Sequence, residues 1–149
     1  LAQRKLRIFG DDILRKKSRE VTEVNDRIRM ILDDMAETMY AQGNGAGLAA
    51  CQVGILKRLV VIDMGDGLIK LVNPVMEEQS GLQECEEGCL SIPDRFGKTL
   101  RPQSVTVTAL DENGKETRIR GEGDLAKCLC HELDHLDGIL FVDHMIEEI

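Results

Sequence analysis

His131-Glu132-Leu133-Asp134-His135 sets two imidazoles four positions apart with a carboxylate between them. On a helix each side chain is rotated about 100° from the last, so residues four apart share a face, their Cβ atoms roughly 6 Å apart. Two imidazoles in that geometry chelate one ion, and Glu132 sits beside it, placed to take a proton from a bound water. By the same rotation Leu125, Leu129, Leu133 and Leu136 form a separate stripe, while Cys128, His131 and His135 share a more polar face. The helix therefore has an anchor side and a working side. The chemistry indicated is metal-assisted hydrolysis.

Two imidazoles do not complete a metal site, and a third ligand is required. The short tail after His135 offers Asp143, His144, Glu147 and Glu148. A stronger candidate lies upstream in Glu87-Gly88-Cys89-Leu90-Ser91, where a thiolate between a glycine and a short apolar strand could reach an ion. A third segment, Gly45-Ala46-Gly47-Leu48-Ala49-Ala50-Cys51-Gln52, packs small residues closely. Such residues let another backbone approach, which suits a peptide lying extended against a strand edge. The segment lacks the Lys-Ser/Thr ending of a phosphate loop, which argues against nucleotide binding.

The elements that must position these groups are legible in outline. Asp11 to Lys17 predicts a short helix capped by Asp11 or Asp12. Asn25 predicts the cap of a longer one, because Ile28, Ile31, Leu32, Met35 and Met39 follow at helical spacing until Gly43, Gly45 and Gly47. Strands are expected at residues 58–63 and 68–75, joined through Gly65-Asp66-Gly67, and at 104–111 and 115–120 around the hairpin signal Glu112-Asn113-Gly114. Asp124 to Asp137 predicts the helix that carries the histidines, with Gly138 to end it. Helices flanking a run of strands imply an α+β fold with mixed, mostly antiparallel sheets packed around the C-terminal metal-binding helix. With 149 residues and no linker-like stretch, one catalytic domain over 1–149 is expected.

Composition removes several classes of function. A net charge of -8 without a basic stripe argues against direct nucleic-acid binding. No apolar run is long enough for a membrane helix, and the charged opening Leu1 to Arg7 is followed by no apolar stretch of a signal peptide. Five scattered cysteines fit a reducing compartment, so a cytoplasmic location is expected.

Taken together, GAGLAACQ at 45–52, EGCLS at 87–91 and HELDH at 131–135 resemble the three ordered motifs of the peptide deformylase family. The likeness extends through the opening RKLRIFGDDILRKKS and the closing GILFVDH, so it covers nearly the whole chain. It implies removal of the formyl group from the formyl-methionine of new polypeptides, with release of formate. It implies Cys89, His131 and His135 as metal ligands, with water in the fourth place. Glu132 would take that water's proton and pass it to the leaving amine. The oxyanion would be met by the metal, the Gln52 side-chain amide and the Leu90 backbone N–H.

Fe²⁺ is the physiological ion the resemblance implies, with Ni²⁺, Co²⁺ or Zn²⁺ replacing it in preparations. Spacing alone does not choose among them. The substrate would lie as an added strand beside Gly45–Gly47, its methionine in an apolar pocket that includes Ala46, Gly47, Glu87 and Cys128. The expected partners are formyl-Met nascent peptides and a transient ribosome contact, with the enzyme a monomer.

The chain departs from the family pattern at Cys51, at Lys127, which changes the pocket rim, and at Cys130, which helix geometry turns away from the ligand face. Two rivals stand beside this reading. A zinc endopeptidase would take its third ligand after the helix, His144 being the candidate. A non-catalytic relative would bind metal without turnover.

Overall fold

The computed structural model describes residues 2–43 and 46–149, so Gly45, expected at the strand edge, lies outside the described residues. The fold is α+β. Helix α1 (Asp26–Ala41) starts where Asn25 accepts the Ile28 N–H through its side chain, the cap its position predicts. Helix α2 (Asp124–Leu136) carries the two histidines. Gly138 follows at φ +75, and a Cβ there would lie 2.4 Å from the Arg15 carbonyl oxygen, so the stop requires glycine on both counts. The segment at Asp11 to Lys17 forms one 3₁₀ turn, Asp12–Arg15, with Asp11 as its cap.

Five strands make the larger sheet, in the order β1-β2-β3-β6-β7. They are β1 (Gly47–Ala49), β2 (Leu59–Ile62), β3 (Ile69–Ser80), β6 (Ser104–Leu110) and β7 (Glu116–Glu122). A second sheet, ordered β4-β5-β8, contains β4 (Gln83–Cys89), β5 (Ile92–Arg101) and β8 (Glu147–Glu148). Among the described residues every strand pair is antiparallel, and the one parallel contact is an isolated bridge between Arg19 and Lys57. "Mixed" therefore reduces to that bridge.

The larger sheet is sandwiched between the helices, which explains why β2 reads as an unbroken apolar run. Leu59 and Val61 face α1 and pack with Ile28, Ile31, Leu32, Met35 and Met39. Val60 and Ile62 face α2 and pack with Ala126, Leu129, Leu133 and Leu136. A strand buried on both faces needs apolar residues at every position. Full burial of such side chains contributes about 1.5–3 kcal/mol each.

The second sheet was not anticipated from the sequence. β4 reads Gln-Glu-Cys-Glu-Glu-Gly-Cys, with none of the β-branched or aromatic alternation that signals a strand. Its inward positions Cys85 and Glu87 are buried all the same. β4 and β5 join through Leu90-Ser91, with Cys89 paired opposite Ile92. This two-residue turn brings Cys89 to α2.

A candidate metal centre between α2 and the β4–β5 turn

The Cys89 Sγ lies 3.3 Å from His135 Nε2, and the ligand atoms of Cys89, His131 and His135 all lie within 4.8 Å of one another. Among the described residues this is the one cluster of three such groups that could hold a metal ion. His144 does not join it; its Nε2 lies 3.3 Å from Asp134 Oδ2 at the half-exposed end of the helix.

Each imidazole is set differently. His131 Nδ1 lies 2.8 Å from Glu87 Oε1. A carboxylate only accepts, so Nδ1 donates and Nε2 is turned to the cluster. The His131 ring also stacks on Phe141, with centroids 6.1 Å apart. Glu87 is held in turn: Arg101 donates from Nε at 2.7 Å and from Nη2 at 2.9 Å, and Thr99 donates through its hydroxyl. Arg101 Nη1 donates to Asp134 on α2 at 2.8 Å. Glu87, expected in the methionine pocket, thus borders the cavity while both its oxygens are engaged by this network. Burial alone would raise the Glu87 carboxyl, but hydrogen bonds from His131, Arg101 and Thr99 hold it well below the usual carboxylate range.

His135 is fully buried, and its Nδ1 has no partner among the described residues. Burial, with the positive charge of His131 and Arg101, keeps it well below the usual imidazole range, which favours the neutral ligand form. Burial lowers His131 too, but hydrogen bonds to Cys89 and Glu87 outweigh it and raise it well above that range. A proton and a metal ion would therefore compete at His131.

Glu132 is the second unsatisfied group. It is 4% exposed, and its Oε1 is buried without a hydrogen-bond partner among the described residues. Burial pushes its carboxyl up to about 7, against the attraction of His131. The face of α2 expected to be its polar working side is thus enclosed rather than solvated. β1 closes over it at Gly47, where an added Cβ would come within 2.7 Å of Glu132 Oε2 and 3.0 Å of Cys128 Sγ. Only a glycine lets the strand pass that close.

Gln52 is 1% exposed, in a 3₁₀ turn (Ala50–Val53) that follows β1. Its Oε1 accepts the Ala49 N–H at 2.9 Å, which turns the amide nitrogen toward Ser91 Oγ at 3.1 Å and Cys89 Sγ at 3.6 Å. Leu90 occupies the turn beside Cys89. A cavity of about 510 Å³ opens over the cluster, bordered by Ala46, Gly47, Gln52, Leu90, Cys128 and Glu132 among others. Among the described residues β1 is the edge of its sheet, paired only with β2, and its Gly47 borders this cavity. Cys130 faces away, into a separate cleft bordered by Arg101 and Asp134. Thr99, Arg101 and Asp134 escaped the sequence reading, and only the Asp inside the helix motif could have pointed to them.

The residue set fits a divalent ion. One thiolate and two imidazoles suit late first-row metals, and a buried carboxylate oxygen without a partner is costly unless something polar meets it.

Residues 3–148 match the family described as polypeptide deformylase. A relative from Clostridium acetobutylicum, peptide deformylase 2, is 58% identical over 149 residues, covering 100% of this chain and 99% of that protein. The solved peptide deformylase of Thermotoga maritima superposes with a TM-score of 0.94 at 36% identity, covering 97% of this chain and 99% of that one. That of Ehrlichia chaffeensis in complex with actinonin gives 0.95 at 38% identity, covering 97% and 90%. On the match of nearly its full length and the identity of these relatives, the chain belongs to the polypeptide deformylase family.

Proposed function

We propose that this enzyme removes the formyl group from the N-terminal formyl-methionine of nascent polypeptides and releases formate, with Cys89, His131 and His135 holding one divalent ion. The observation that carries this reading is the buried, unpartnered Glu132 Oε1 beside three ligand atoms within 4.8 Å of one another. Bound there, the ion supplies Lewis acidity to a water and to the formyl oxygen. Glu132 accepts the proton of the attacking water and hands it to the departing amine nitrogen, a task suited to a carboxyl whose pKa lies at about 7. Gln52, with its oxygen occupied by Ala49, offers N–H to the developing oxyanion, and the Leu90 N–H is the second donor.

The free edge of β1 takes the peptide as an added strand, and the methionine enters between Gly47, Cys128 and the Glu87 side of the cavity. Fe²⁺ is the working ion, with Ni²⁺, Co²⁺ or Zn²⁺ able to replace it. The enzyme acts as a one-domain monomer in the cytoplasm and meets the ribosome transiently. The chain has no helix long and apolar enough to cross a membrane among the described residues.

The test is formate release from a formyl-Met tripeptide by protein prepared without oxygen and loaded with Fe²⁺ or Ni²⁺. Turnover that disappears in Glu132→Ala supports the reading. Release no greater than that of Glu132→Ala rejects it.

A further inference from the structure

Lys127 stands on α2 immediately before Cys128 and borders the same cavity as the metal cluster. Its side chain is only 27% exposed. It crosses from α2 to β4, where Nζ donates to the Glu86 carbonyl oxygen at 3.3 Å; the Asp124 carboxylate is 3.9 Å away. The ammonium therefore spans the gap between helix and strand beside the cavity. An ammonium has three donors and no acceptor. The Glu86 carbonyl takes one, and Asp124 stands beyond a good hydrogen bond.

The residues next in sequence to Lys127 and Glu86 offer little to an acceptor. Cys128 is a buried thiol whose pKa burial pushes up, so it stays neutral, and Glu87 has both oxygens engaged by Arg101, His131 and Thr99. An apolar side chain that reaches Lys127 meets a charged donor and gains no hydrogen bond from it. A side chain with an oxygen at its tip gains one, and a hydrogen bond to a charged group is among the stronger kinds.

Resting on the deformylase reading, we propose that Lys127 is a specificity-determining residue: it makes the side-chain pocket accept N-terminal residues with an oxygen acceptor near the tip, methionine sulfoxide above all, alongside methionine. Methionine sulfoxide has the length of methionine and adds a strong acceptor near the tip. Glutamine is the second candidate of the same class. The pocket discriminates through what an acceptor gains there, one further hydrogen bond from an ammonium that Glu86 already holds in place.

The experiment compares wild type, Lys127→Leu and Lys127→Arg, all loaded with Ni²⁺, on formyl-Met-Ala-Ser and formyl-Met(sulfoxide)-Ala-Ser. The ratio of kcat/KM for the sulfoxide to that for methionine is expected to fall about tenfold in Lys127→Leu, and to be largely kept in Lys127→Arg. Calorimetric titration with the deformylated products gives a readout apart from turnover: the sulfoxide peptide should lose about tenfold in affinity in Lys127→Leu while the methionine peptide does not. An unchanged ratio in Lys127→Leu, or equal loss for both peptides, overturns the assignment. Failure of wild type to release formate from formyl-Met-Ala-Ser would instead strike the deformylase reading itself.

Discussion

The five-stranded and three-stranded sheets hold the same helix by different physics. Against the larger sheet, α2 sets Ala126, Leu129, Leu133 and Leu136 on Val60, Ile62, Leu71, Val105 and Val107, a contact of area and shape. Toward the smaller sheet the contacts are charged and directional: Arg101 to Asp134, Glu87 to His131, and Cys89 to His135. The first arrangement tolerates changes that conserve volume. The second depends on each partner, because a buried charge left alone is expensive. Stability is expected to reside mainly on one side of α2 and chemistry on the other.

The sharpest separation should come from Glu132→Gln. It is expected to lower kcat for formate release by about 10²–10⁴-fold while leaving metal content and thermal stability near wild type. A large loss of Tm instead would mean that Glu132 also supports the fold.

Arg101→Met is the variant best able to blur the division. It removes the guanidinium and two of the donors that hold the buried Glu87, leaving it His131 and Thr99, and denaturant titration should show a loss of about 3 kcal/mol. Adding Glu87→Met should recover much of that stability. Metal affinity should stay about 10–100-fold weaker, because His131 has lost the partner that orients it. Recovery of both together would show that Glu87 serves only to neutralise Arg101.

On the apolar side, Leu129→Ala should cost about 2–5 kcal/mol with kcat per folded molecule unchanged.

The smallest effect concerns the tail. Hydrogen bonds from Arg15 hold the Asp143 carboxyl below its ordinary value of 3.8. A carboxyl lowered on folding contributes stability that is present above the unfolded pKa and lost as pH falls through the folded one. Wild type should therefore exceed Asp143→Asn in Tm by a small, constant margin at neutral pH, and the margin should close below about pH 4. A margin that widens on acidification would contradict the pairing.

The same contrast accounts for how much of the fold is legible in the sequence. Apolar patterning marks β2, β3, β6, β7 and both helices, with the Asn25 cap and the Gly138 stop beside them, whereas β1 lies in a run of small residues that carries no strand signal. β3 runs on to Ser80, beyond the expected end at Val75, because its later residues pair with β6 at a polar, solvent-facing edge. β4 left no pattern, since its buried positions are a cysteine and a glutamate satisfied by distant side chains. Pairings such as Glu87 with Arg101 are set by tertiary geometry and have no local signature. The candidate trio of Cys89, His131 and His135 is legible through motif resemblance, whereas the network that holds His131 emerges only once β4 and β5 are folded against α2.

The central claim is that the thiol on the β4–β5 turn, and no group after the helix, completes the site begun by His131 and His135. Metal-to-protein ratios of anaerobically prepared wild type, Cys89→Ala and His144→Ala test it directly. The account predicts a full complement in wild type and His144→Ala, and loss of the ion in Cys89→Ala. Full occupancy in Cys89→Ala with loss in His144→Ala would contradict it.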